Sequence, residues 1–200
     1  MAELWARDLG DSLLGAVRDP VLPWAATPAG GAGPSGILEW KDLGLSPDMP
    51  YFNAGVLLVP LPRWRERAVG ARALDLLREH VFLLGDQCAL NAVVAGDWVQ
   101  VEPRWNLQGG HLAPNGTLAW VTESSDDLER AMRDPAVIHF THFRRRQWQA
   151  QSDYPNRALW FEDLDRTAWA GWRPSEPRAR GRFHRTASHL KQAAKLLLRR

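Results

Sequence analysis

The stretch Tyr51-Phe52-Asn53-Ala54-Gly55-Val56-Leu57-Leu58-Val59 constrains this chain more than any other. A run so apolar and so short reads as a strand buried on both faces, and a side-chain amide inside it has to find polar partners or lose a few kcal/mol to desolvation. Asn53 is therefore either satisfied by backbone or aimed at a polar ligand. Ala54 and Gly55 beside it add almost no bulk, as a close-approaching ligand requires. Pro62-Arg63-Trp64-Arg65-Glu66 follows, and then Asp86-Gln87-Cys88-Ala89-Leu90-Asn91. The order is strand, helix, and a second helix opening on a carboxylate and an amide.

Around this segment, strands alternate with helices. Leu4 to Asp19 opens with a short amphipathic piece, and Leu13 to Val17 suits a buried strand. Pro20 to Pro50 is a long Pro/Gly-rich loop in which Pro28 to Pro34 is too flexible for regular structure, while Trp40 and Leu43 anchor a helical turn. Tyr51 to Val59 is expected as a central strand. Pro62 to Val81 is expected as one helix with Trp64, Ala68, Ala71, Leu74, Leu77 and Val81 on its apolar face. Gly85-Asp86 starts the next helix, with Asp86 as an N-cap, Leu90, Val93 and Val94 facing inward, and Gly96 closing it. Strands are expected at Trp98 to Val101, Leu118 to Val121 and Ala136 to Phe140, and helices at Asp126 to Arg133 and Pro155 to Leu164. Trp169 to Trp172 is an aromatic knot expected to close the domain. Alternation of this kind implies an α/β domain with a mostly parallel sheet, whose ligands sit at the carboxyl ends of strands.

With 200 residues, 45% of them hydrophobic, the chain can bury one real core. Eleven tryptophans against two tyrosines favour core packing and stacking on sugar rings. Cys88 is alone, so nothing calls for an oxidising compartment, and a small buried residue is its commoner role than a catalytic thiol. The longest apolar run falls well short of the roughly 20 residues that cross a bilayer. The start after Met1 has neither a basic region nor an apolar signal core, so a cytoplasmic protein is expected. Asn115-Gly116-Thr117 after Pro114 reads as a tight turn rather than a glycosylation site.

Charge divides the chain. Residues 176–200 hold eight Lys/Arg and one acid, a net of +7, and residues 1–175 carry a net of −5. Leu190, Ala193, Ala194, Leu197 and Leu198 recur at helical spacing among Lys191, Lys195, Arg199 and Arg200. Two readings stand side by side: a basic amphipathic helix for an anionic membrane surface or partner, with the protein peripheral at the inner face of the membrane, and a solvated tail. Basic residues are not interleaved with an aromatic platform, which argues against nucleic acid.

The Phe52 to Val56 run, Asp86-Gln87 with Asn91, Arg104-Trp105-Asn106, and Val137-Ile138-His139-Phe140 through Trp148 together resemble the glycosyltransferase family 8 enzymes. The resemblance spans residues 3 to about 172, leaving 173–200 as the tail. It implies a GT-A fold, N-terminally truncated here, and transfer of a hexose from a UDP-sugar to a glycan or lipid-linked acceptor with retention of configuration. Lipopolysaccharide biosynthesis is the setting it suggests. By that resemblance Asn53 faces the acceptor sugar, while Asp86, Gln87 and Asn91 bind the donor sugar, Asp86 and Gln87 at the face of its anomeric carbon. His139 binds Mn2+ (or Mg2+) next to the diphosphate, and Arg145 or Arg146 stands in for the family's phosphate-holding lysine.

Three departures accompany the match. Cys88 stands where the family often has a second aspartate, His142 stands where glycine is usual, and an arginine triplet with Gln147 replaces Lys-Pro before Trp148. Trp105 is expected in the core and Asn106 in a turn. The family's Asp-x-Asp metal motif belongs to a segment that precedes Leu4-Trp5 and is not in these residues. The metal is therefore expected to be weakly held and this chain by itself inactive. The competing expectation is a non-catalytic α/β remnant that docks to a membrane or partner. A Gly-x-Ser-x-Gly hydrolase motif is lacking.

Overall fold

The computed structural model describes residues 2–26, 28–29, 33–34, 36–109, 111, 124–141 and 146–175. It divides into two compact units, Met1–Arg144 and Arg145–Arg200, whereas the sequence boundary falls at 172/173. The turn at Asn115, the strand expected at Leu118 to Val121, His142, Arg145 and the basic residues 176–200 lie outside the described residues.

In the first unit a short helix α1 (Ala2–Trp5) leads to strand β1 (Leu14–Arg18). β2 (Pro28–Ala29) and β3 (Gly33–Pro34) pair antiparallel, so the Pro/Gly-rich segment is not wholly irregular. Strand β4 (Phe52–Leu58) is followed by helices α2 (Leu61–Glu66), α3 (Val69–Glu79) and α4 (Asp86–Val94), and then by β5 (Trp98–Gln100). A 3-10 turn at Pro103–Asn106 delivers β6 (Leu107–Gln108), after which come α5 (Ser125–Arg133) and β7 (Ile138–His139). The α/β architecture expected from the sequence is present, with mixed strand pairing: β1 runs antiparallel to β4 and parallel to β5, and β6 runs parallel to β7.

The sheet order β4-β1-β5 puts β1 in the middle and the Asn53 strand at one side, the reverse of the sequence expectation. Burial explains the exchange. Leu14, Gly15, Ala16 and Val17 are all buried, because β1 has a strand on each edge. β4 is deeply buried only at Phe52 and Asn53, its amino end. Hydrophobicity alone could not rank the two apolar runs.

The helix expected over Pro62 to Val81 is broken. Ala68 adopts φ +49°, a left-handed conformation that separates α2 from α3 and resets the phase of everything after it. The inward face of α3 is consequently Val69 and Ala73, with Leu76 and Leu77 packed partly against the core, while Leu74 and Val81 are 56% and 66% exposed. α4 packs on α3 and on β4, burying Cys88, Ala89, Val93 and Val94. Its N-cap is Gly85, so Asp86 is the first helical residue rather than the cap, and its carboxylate sits favourably near the positive helix end. At the far end Ala95 takes the left-handed C-cap, one residue before the expected Gly96. Ser124 caps α5 by accepting from the Asp127 amide.

In the second unit α6 (Arg157–Leu164) presents Phe161, whose ring lies under the guanidinium groups of both Arg157 and Arg173, 4.9 and 4.6 Å from its centroid. Trp160 packs edge-on against Trp172. The knot expected to close a core instead lies open: Trp169 is 67% exposed. No helix among the described residues is long and apolar enough to cross a membrane.

Candidate active site

The candidate corner is assembled at the carboxyl end of β1. Asp19 follows that strand directly and is fully buried. Its Oδ1 accepts from the backbone amides of Val21 and Leu22, both at 2.9 Å. Its Oδ2 accepts from Asn53 Nδ2 at 3.0 Å and from Gln87 Nε2 at 3.1 Å. Antiparallel pairing explains why Asn53 is there, since the amino end of β4 lies beside the end of β1. Gln87 arrives from the first turn of α4, whose Asn91 is clamped to β4: Asn91 Oδ1 accepts from the Phe52 amide, and Nδ2 donates to the Phe52 and Gln87 carbonyls, each at 2.9 Å.

Backbone amides fix the direction of the Asn53, Gln87 and Asn91 side chains. Gly55 N–H donates to Asn53 Oδ1 at 2.9 Å, so Asn53 must turn Nδ2 to Asp19. Ala54 N–H donates to Gln87 Oε1 at 3.1 Å and fixes that side chain in the same sense. Asn106 Nδ2 then donates to Asn53 Oδ1 at 3.0 Å, which leaves Asn106 Oδ1 facing His139 Nδ1, also at 3.0 Å. Only an Nδ1–H can complete that bond. His139 is thereby held as the tautomer whose Nε2 carries the lone pair, the form a metal-ligating imidazole takes. A chain of hydrogen bonds runs from Asp19 through Asn53 and Asn106 to His139. Gly55 makes room for it, because a Cβ there would fall inside the imidazole.

Of the residues expected from the sequence, Asn53, Gln87 and His139 are brought into one network. Asn91 sits beside them with its amide engaged by backbone. Asp86 is exposed. Arg146 lies in the second unit, where its amide N–H meets Gln149 Oε1. Trp105 is in the core as expected, but Asn106 is more than a turn residue: it is fully buried and joins two site residues. Sequence reading missed Asp19. The signal was available, an acid directly after a buried apolar strand, which is where α/β sheets place polar ligand groups. Burial pushes the Cys88 thiol up, and Sγ lies 3.1 Å from the Tyr51 hydroxyl, both of which suit a packing role.

Among the described residues no three metal-ligating side chains gather. These residues therefore do not by themselves complete a metal's coordination shell.

His111 adds a pH dependence. Its Nδ1 accepts from the Gln108 amide, and burial lowers its pKa to about 4, with the charge of Asp19 pulling the other way. The unfolded imidazole takes up a proton below about 6.5, the folded one only below about 4, so stability is complete above pH 6.5 and declines between 6.5 and 4. The loss should total about 3 kcal/mol and stop below pH 4. Urea titrations across that range check it, and His111→Asn should flatten the slope.

Comparison with known proteins places the chain in a family. Residues 1–150 match the Glycosyl transferase family 8 profile. The chain belongs to glycosyl transferase family 8. It is 26% identical over 136 residues to General stress protein A of Bacillus subtilis (strain 168), covering 64% of this chain and 46% of that protein. To Glycosyltransferase GlyD of Streptococcus pneumoniae serotype 4 it is 33% identical over 140 residues, covering 64% of this chain and 16% of GlyD. Among solved structures, the apo form of the bifunctional glycosyltransferase WbbM superposes with a TM-score of 0.64 at 22% identity, over 85% of this chain and 31% of WbbM. The galactosyltransferase LgtC, solved with donor and acceptor sugar analogues, gives 0.58 at 23% identity, over 88% of this chain and 58% of LgtC. The shared fold is that of GT-A glycosyltransferases. The chain spans less than half the length of the curated relatives it matches.

Proposed function

We propose that this family 8 chain forms the sugar-handling side of a glycosyltransferase that moves a hexose from a UDP-sugar to a glycan or lipid-linked acceptor with retention. The observation that carries the reading is the shared Asp19 carboxylate, which aims the Asn53 and Gln87 amides from two different elements at one corner. Fixed dipoles need no reorganisation when charge develops at an anomeric carbon, and a buried carboxylate holding them is what preorganisation requires.

In this reading Gln87 orients the anomeric face and Asp86, at the open end of α4, binds donor hydroxyls. Asn53 positions the acceptor hydroxyl, and Asn91 positions α4. His139, fixed as the Nδ1–H tautomer by Asn106, offers Nε2 to Mn2+ or Mg2+, which when bound neutralises the leaving diphosphate. One imidazole ligand binds a divalent ion weakly, so these residues alone are expected to give little turnover.

The test is UDP release from UDP-glucose and UDP-galactose, with manganese and a glycan acceptor, by the protein as its gene encodes it. Gln87→Ala and His139→Ala should each lower the rate about 100-fold in protein that still folds. Absence of UDP release under all these conditions overturns the reading. Sedimentation of the same protein with anionic vesicles would then favour a docking module built on the basic residues 176–200.

A further inference from the structure

Among the described residues, three buried polar atoms near Asp19 have no hydrogen-bond partner: Arg18 Nε, Gln108 Oε1 and His111 Nε2. Gln108 is fully buried and His111 is 6% exposed, so water does not reach them freely and each orphan is costly. Existing bonds tie their three residues together. Gln108 Nε2 donates to the Arg18 carbonyl at 3.4 Å, the Gln108 amide donates to His111 Nδ1 at 3.1 Å, and the imidazole feels the charge of Asp19. Gln108 is also the register partner of His139 in the β6–β7 pair, so this cluster lies alongside the network that contains Asn53 and Asn106.

Their polarity is determined. The backbone amide on Nδ1 forces the His111 proton onto Nε2, making it a donor. Arg18 Nε is a donor. Gln108 has used its Nε2 on the Arg18 carbonyl, which leaves Oε1 as an acceptor. Two donors and one acceptor are the complement of a single hydroxyl group, which accepts twice and donates once.

We propose that Gln108 and His111, with Arg18 Nε, form a subsite that binds one hydroxyl of a sugar ligand and thereby selects which sugar the corner accepts; this rests on the transferase reading above. The hydroxyl belongs to the donor hexose or to the acceptor, and one experiment separates them. Binding of UDP, UDP-glucose, UDP-galactose and lactose is measured by saturation-transfer NMR for the wild-type protein, Gln108→Met, His111→Asn and Asn53→Ala. Gln108→Met removes the acceptor at nearly constant volume. His111→Asn keeps an oxygen for the Gln108 amide while deleting the Nε2 donor, so at least one variant preserves the local fold, as thermal melting will show.

The expected result is a loss of about tenfold in both variants for one class of sugar-bearing probe, the UDP-sugars or lactose, with UDP binding unchanged. Loss confined to the UDP-sugars assigns a donor hydroxyl, and loss confined to lactose an acceptor hydroxyl. If neither Gln108→Met nor His111→Asn alters any sugar's affinity while Asn53→Ala does, the three atoms hold an ordered water and the subsite is overturned with the transferase reading intact. If the wild-type protein binds none of the four probes, that reading fails and the subsite fails with it.

Discussion

Asp19→Ala is expected to destabilise the protein by about 4 kcal/mol, the largest loss from any single polar substitution in the corner. The carboxylate takes four N–H donors, two from backbone and two from side-chain amides, in a place that solvent does not reach. Removing it strands all four, and each buried donor without an acceptor costs on the order of 1 kcal/mol or more. For a chain of this size the melting temperature should fall by roughly 10 °C. Asp19→Asn should lose about half as much, because one oxygen still accepts while the new amino group confronts N–H donors. Scanning calorimetry of the two variants decides the matter, and a shift of less than about 2 °C for Asp19→Ala would mean that the four donors have other partners. Freed amides at Asn53 and Gln87 also lose their aim, so sugar binding should fall in parallel with stability.

Gly55→Ala should separate function from stability. The backbone at Gly55 is ordinary strand, so the extra methyl causes no torsional strain; its obstacle is the His139 ring, with Asn53 Oδ1 also too close. A half-buried imidazole can swing aside, which limits the stability cost to about 1–2 kcal/mol. Swinging breaks the contact with Asn106 that sets the tautomer. Nitrogen-15 NMR of the imidazole should show the Nδ1–H form in the wild-type protein and a tautomer mixture in Gly55→Ala, with transfer by the gene-encoded protein down about 100-fold. A wild-type-like imidazole spectrum in the variant would show that the ring is not seated against Gly55.

Much of the site was legible in the sequence because amides and imidazoles within apolar runs are conspicuous. Asn53 and His139 stand out in strands, and Gln87 has no other reason to occupy a helix start. What they share was not legible. Asp19, Asn106, Gln108 and His111 each sit among residues that explain them locally as strand end, turn or loop, and only long-range pairing brings them together. The contact between β1 and β4 spans more than thirty residues of chain, and that between Asn53 and Asn106 spans fifty-three. The helix after β4 shows the converse limit: one left-handed residue, Ala68, shifted a regular apolar period onto a different face.

The sequence by itself determined that this chain is an α/β protein with a polar amide strand, an acid-amide helix start and a strand-end histidine. It also carries the motifs of family 8, because periodicity, burial preference and local motif chemistry are written in neighbouring residues. Tertiary structure alone decided that β1 rather than β4 is the middle strand and that one buried carboxylate aims two amides. It also fixed the histidine's proton by a relay of hydrogen bonds that starts at a glycine amide. Those outcomes depend on which groups meet after the chain closes on itself, and hydrogen-bond direction exists only between partners that have met.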